Sequence, residues 1–136
     1  MTESAPSENA PSEKAVPEVP LSDDGLPSPR DLAEVPAVEV IATLAVHLMT
    51  AAAVQLGLGD LDEHGAAHPA DLDEARKLIT ALAGLVTAAA PELGSQHAAP
   101  LRDGLRTLQL AFREVSVVPD LPGSAPGEKL TGPVLP

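Results

Sequence analysis

From Val40 to Gly59 the chain runs for twenty residues without an Asp, Glu, Lys or Arg. Any fold must be arranged around that stretch. Pro36 suits a first helical position, Glu39 the first turn and Gly57 a left-handed cap, which predicts a helix over about 36–56. Within it the polar residues Thr43, His47 and Thr50 continue from Glu39 at spacings of four, four and three, one narrow stripe along the helix. Every other direction is apolar, with Val38, Ile41, Leu44, Leu48 and Ala52 on one side and Val40, Val46, Met49 and Val54 around them. A helix apolar over most of its circumference has to be surrounded. The length is near that of a membrane span. However, the Ala-rich content, the three polar side chains and Gln55 make transfer into lipid weak, so the expected surroundings are protein.

A second helix is predicted over about 72–90. Asp71 can accept from the Glu74 N–H while Glu74 reaches back, an Asp version of the capping box, and Pro91 is expected to stop the helix. Leu72, Ala75, Ile79, Leu82, Val86 and Ala89 follow at three, four, three, four and three, a heptad seam. Ala81, Ala83, Gly84 and Ala88 form a small-residue face that lets another backbone approach closely. A third helix is predicted over about 100–115, with Gly94 as a break before it and Ser95 offering a cap for an earlier start; Leu101, Leu105, Leu108, Phe112 and Val115 face the core and Arg102, Arg106, Gln109 and Arg113 lie on its outer side. No stretch alternates apolar and polar residues over a useful length, so strands find no support. The expected fold is all-α, a three-helix bundle or a helical hairpin plus a third helix.

The flanks differ in composition from this core. Residues 1–29 hold six of the fifteen prolines and six acids against the single base Lys14. Such a segment buries too little apolar surface to offset its conformational entropy, and residues 1–30 are read as a disordered acidic arm. Residues 117–136, with five prolines and three glycines, are read as a disordered tail. That leaves 31–116 as the helical domain. A core of about 80 residues filled mainly by Ala, Val and Leu is marginal alone. Self-association through Ile41, Leu44, Leu48, Met49 and Ala52 is therefore expected, making a homo-oligomer. The alternative is a monomer in which the other helices cover the first.

Charge and composition exclude several functions. A net charge of −12 argues against a nonspecific nucleic-acid coat or adhesion to anionic lipid. With no Trp, no Tyr and Phe112 alone, there is no stacking platform for bases. No Cys means no disulfide, thiolate metal site or thiol nucleophile. The polar start of the chain is unlike an export signal, so a cytoplasmic location is expected.

The loop between the first two helices gathers Asp60, Asp62, Glu63, His64, His68 and Asp71 near the register of a calcium loop, but His suits a hard cation poorly and Asp71 already serves as a cap. A solvated loop with no metal is expected. His47 lacks a recognisable catalytic partner, and GLG at Gly57–Gly59 lacks the strand and spaced glycines of a nucleotide fingerprint. No cofactor and no enzymatic activity are expected. Arg102, Arg106 and Arg113 share one helical face and can hold an anionic partner or phosphate through forked hydrogen bonds. The expected function is a non-enzymatic helical interaction domain with an unidentified protein partner. The alternative is an RNA-associated factor using those arginines.

Through VEVIATLAVHLMTAAAVQLGLG, DLDEARKLITALAGLV and LRDGLRTLQLAFREVS, the chain resembles a small bacterial family, domain of unknown function 1844, over roughly residues 35–116. The resemblance implies an all-helical cytoplasmic domain. It carries no activity, cofactor or site residue with it. Genes of relatives in high-GC bacteria beside translation-initiation and ribosomal-protein genes are what link it to the ribosome.

Overall fold

A computed structural model describes residues 32–136. The acidic arm expected over 1–30 lies outside the described residues. The chain divides into an N-terminal unit ending at Pro36 and a helical unit, Ala37–Pro136. The helical unit contains α1 (Ala37–Gln55), α2 (Leu72–Leu93), α3 (Ser95–Val115) and the short turn α4 (Glu128–Thr131). No strand occurs among the described residues, so the all-α expectation holds.

The seams predicted for α2 and α3 form the core. Ala75, Ile79, Leu82, Val86 and Ala89 of α2 are buried against Leu101, Leu105, Leu108 and Phe112 of α3, and α1 adds Ala45, Ala52 and the following Leu56. Asp71 caps α2, its side chain accepting from the Glu74 N–H at 3.2 Å. The reciprocal half of the capping box is absent. The Asp71 N–H donates instead to Gln55 O at 2.7 Å, joining the start of α2 to the end of α1, and the Glu74 carboxylate pairs with Lys77 at 2.7 Å.

Two helix ends differ from expectation. α2 continues past Pro91 to Leu93, because a proline in the last turn removes only one hydrogen bond. α3 begins at Ser95 and not near Pro100, with Ala98 buried. Pro100 lies on the solvent side, where water can satisfy the carbonyl freed by its missing N–H. Gly94, at φ 82°, makes the abrupt turn between the two helices.

The largest correction concerns residues 117–136. This segment does not behave as a disordered tail. It forms a strap that folds back onto α2 and α3, burying Ala125, Pro126, Gly127, Glu128 and Val134. Prolines do prevent a long helix or a ladder there; bundle side chains meet strap carbonyls instead, and the strap's own Glu128 meets its N–H groups. The close approach anticipated on the small-residue face of α2 is made by this strap. A Cβ added at Gly127 would lie 2.7 Å from Ala83 Cβ and 3.0 Å from Gln109 Nε2, and Gly127 has φ +80°.

Gly127→Ala should therefore destabilise the protein by about 2–4 kcal/mol, combining left-handed strain with overpacking. Gly132→Ala shares the left-handed backbone, φ +84°, but meets nothing within 4 Å, and should cost about 1 kcal/mol from strain alone. Chemical denaturation of the two variants checks the difference.

Candidate functional site

The three arginines proposed as a face for an anionic partner are not equivalent in the folded chain. Arg113 forms a forked pair with Glu128. Its Nη2 lies 2.8 Å and 3.0 Å from Oε1 and Oε2, and its Nε lies 3.2 Å from Oε2. The Glu128 side chain is fully buried and that of Arg113 is 17% exposed. Arg113 Nη1 also donates to Asp120 O at 3.2 Å. Arg106 donates to Leu135 O at 2.7 Å. Only Arg102 makes no hydrogen bond to the strap, lining an open groove of about 390 Å³ with Arg106, Leu130 and Pro133. Gln109, placed by its spacing on the same outer side, is 1% exposed and donates from Nε2 to Pro126 O and Thr131 Oγ1, both at 3.1 Å. The side of α3 expected to face solvent is thus largely the seat of the strap.

Glu128 had no role in the sequence reading, yet it organises this region. Beyond Arg113, its carboxylate accepts from the N–H groups of Gly123 at 2.8 Å, Val134 at 3.0 Å and Ala125 at 3.3 Å. Burial pushes the carboxyl pKa upward. The hydrogen bonds from Val134, Arg113, Gly123 and Ala125 together outweigh it, leaving the group below its ordinary value and ionised. Arg76 of α2 adds a further tie, donating to Asp120 Oδ2 at 2.8 Å while its guanidinium lies 5.1 Å from the Phe112 ring centroid. The available signal was a Glu after a glycine in a Pro-rich segment. Nothing local distinguishes it from a solvated acid.

The face of α1 also differs from expectation. Of the residues proposed for self-association, Ala52 is buried, Leu48 and Met49 pack against the core and Ile41 is half-buried. Met49 is seated on Gly104 of α3, where an added Cβ would lie 2.7 Å from its Cε and Sδ. Leu44 alone of that set is exposed, at 51%. These residues surround Ala45 and Ala52, whose small side chains let α1 lie close to its neighbours. The outward surface is the stripe read as polar, together with its apolar borders: Thr43, Val46, His47 and Thr50 are exposed, and Ala42 and Ala51 half-buried. Only two of the nineteen residues of α1, Ala45 and Ala52, are buried. By length and composition α1 is the one described helix that passes for a membrane span.

The α1–α2 loop does not gather its His and acidic residues. Asp62 Oδ1 accepts from the N–H groups of His64 and Ala66 at 2.8 Å and 2.9 Å, bonds that lower its pKa by favouring the carboxylate. Asp71 is held at the α2 cap. Among the described residues no group of three or more His, Asp or Glu is arranged to hold a metal ion.

A family described as a domain of unknown function (DUF1844) matches residues 37–114, the span of α1 to α3. The strap lies beyond that match. No curated protein and no solved structure matches the chain.

Glu128→Ala leaves Arg113 without its buried partner, a change that costs about 3–5 kcal/mol where the pair cannot rearrange. Release of the strap sets the ceiling, so the loss should not exceed that of a chain ending at Ser116. Because the folded pKa of Glu128 is depressed, its contribution is complete above the unfolded value, about 4.3, and is lost as the pH falls through the folded one. Denaturation between pH 7 and pH 2 should show Glu128→Gln less stable than the parent at neutral pH, with the gap narrowing in acid.

Proposed function

We propose that this chain, which belongs to the family of domain of unknown function 1844, is a non-enzymatic helical interaction domain that self-associates through the outward face of α1. The observation that carries this reading is the mismatch between the composition of α1 and its burial. The helix has no charged residue after Glu39, yet two of its nineteen residues are buried, while Leu44 and Val46 are 51% and 54% exposed. Exposed apolar side chains on a helix face that carries no charge beyond Glu39 favour association.

A second copy suits the face better than lipid. The chain carries −12 overall, so an anionic bilayer repels it. The face also has Thr43, His47 and Thr50 along its centre, groups that need hydrogen-bond partners a bilayer interior lacks. Two copies can meet here without desolvating a charge, because the stretch from Val40 to Gly59 holds no acid or fixed base. The ribosome- or RNA-associated alternative has less support. Arg113 is committed to Glu128 and Arg106 donates to Leu135 O, leaving Arg102 alone to meet phosphate.

Sedimentation equilibrium of the full chain should give a mass rising with concentration to that of a dimer. Val46→Asp should weaken that association by at least tenfold, about 1.4 kcal/mol, with the helical circular dichroism retained. Leu48→Asp, directed at the core, should unfold the protein. A chain that stays monomeric, or that pellets with phosphatidylglycerol vesicles, overturns the reading.

A further inference from the structure

We propose that the face of α2 and α3 under the strap is a peptide-binding seat, that the strap is its resident ligand, and that an acidic, Pro-containing segment of another protein displaces it. This surface is distinct from the outward face of α1, and its use does not depend on self-association. The strap is laid onto a bundle whose apolar core is complete without it, since every residue of that core comes from α1, α2, α3 or Leu56 and none from 117–136. The family match also ends before the strap, at residue 114. Val117 and Val118, which lead into it, are 94% and 83% exposed, a tether more than a contact.

The bonds that hold the strap define what the seat accepts. Arg113 takes the Glu128 carboxylate in a fork at 2.8 Å and 3.0 Å, and Arg76 takes that of Asp120 at 2.8 Å, so the ligand carries two acidic residues eight places apart. Gln109 and Arg106 meet the carbonyls of Pro126 and Leu135, groups that any extended segment offers. The residue before the glutamate must be glycine, because its backbone is left-handed and a Cβ there would lie 2.7 Å from Ala83 Cβ. Prolines suit the rest, since they lower the entropy lost when a free segment is ordered. Three arginines gathered on one face of a chain carrying −12 complement an acidic segment.

A tethered segment faces its seat at about millimolar effective concentration. A free one competes through a contact that the strap does not make, and Arg102 offers it. The strap runs antiparallel to α3, because Asp120 and Glu128 meet Arg113 while Leu135 meets Arg106. Arg102 is next, four residues or about 6 Å further along the helix, in the open groove bordered by Leu130 and Pro133. Two extended residues span about 7 Å. An acidic residue two places after the position of Leu135 therefore reaches Arg102.

Fluorescence anisotropy of a labelled peptide of residues 119–136, titrated with the full chain, tests this. The parent should bind it weakly, because its own strap holds the seat. Glu128→Ala in the chain loosens the strap and frees Arg113, so the same peptide should bind roughly tenfold or more tightly. Gly127→Ala in the chain loosens the strap with both charges kept and should act in the same direction, which covers a loss of helical circular dichroism in Glu128→Ala. On either variant, lengthening the peptide by an Asp two places after Leu135 should tighten binding about two- to fivefold. Adding Arg102→Ala to the chain should remove that gain.

Binding of the peptide by neither variant overturns the proposal. Equal binding of a peptide that itself carries Glu128→Ala does so too, since the seat would then read no carboxylate. An added Asp that brings no gain leaves a free segment without an advantage over the tethered one and removes displacement. Poly(U) that binds the Glu128→Ala chain more tightly than the peptide does would assign the released arginines to phosphate instead.

Discussion

A carboxylate buried in a chain of this size is costly unless every oxygen is met, and Glu128 is met by a guanidinium and three backbone N–H groups. The rest of the C-terminal strap depends on that. Five prolines between 117 and 136 remove donors and confine regular structure to the single turn α4, so the segment cannot be held by a long helix or a ladder of its own. One side chain takes the place of the missing secondary structure. It gathers N–H groups from before and after itself, Gly123, Ala125 and Val134, and anchors the cluster to α3 through Arg113. Gln109 and Arg106 extend the same arrangement by donating to strap carbonyls.

The strap also decides how the surfaces are used. α2 and α3 meet along their apolar seams and receive the strap together, Ala83 and Gln109 lying against Gly127. α1 packs through alanines, and its outward side receives no comparable cover from the described residues of the helical unit. The helix with fewest charges is therefore the least enclosed, while the helix with most arginines is enclosed by its own chain. The proposed roles of these faces follow from that inversion. An association surface on α1 agrees with it, and a broad phosphate-binding surface on α3 does not.

Much of the helical frame was readable because heptad spacing leaves little choice. Ile79, Leu82, Val86, Leu105, Leu108 and Phe112 are inside because the three-and-four spacing sets the larger apolar side chains of each helix along one line. α1 was ambiguous for the opposite reason. When nearly every direction is apolar, periodicity does not say which way is in, and the larger residues Leu44, Leu48 and Met49 appeared the natural contact set. Close packing favours the small ones, so Ala45 and Ala52 face inward and the polar stripe marks the outside. For Arg102, Arg106, Gln109 and Arg113 the spacing correctly indicated a common side of α3, but spacing carries no information about what lies against that side.

The sequence by itself determined that the described chain is helical, where its α2 and α3 seams run, and that the first helix carries no charge after Glu39, because these follow from local periodicity and composition. Only the tertiary structure decided which side of α1 faces outward and that residues 117–136 are folded. Those outcomes depend on contacts between residues far apart in the chain, Met49 with Gly104 and Arg113 with Glu128, whose energies exist only once the helices have been brought together.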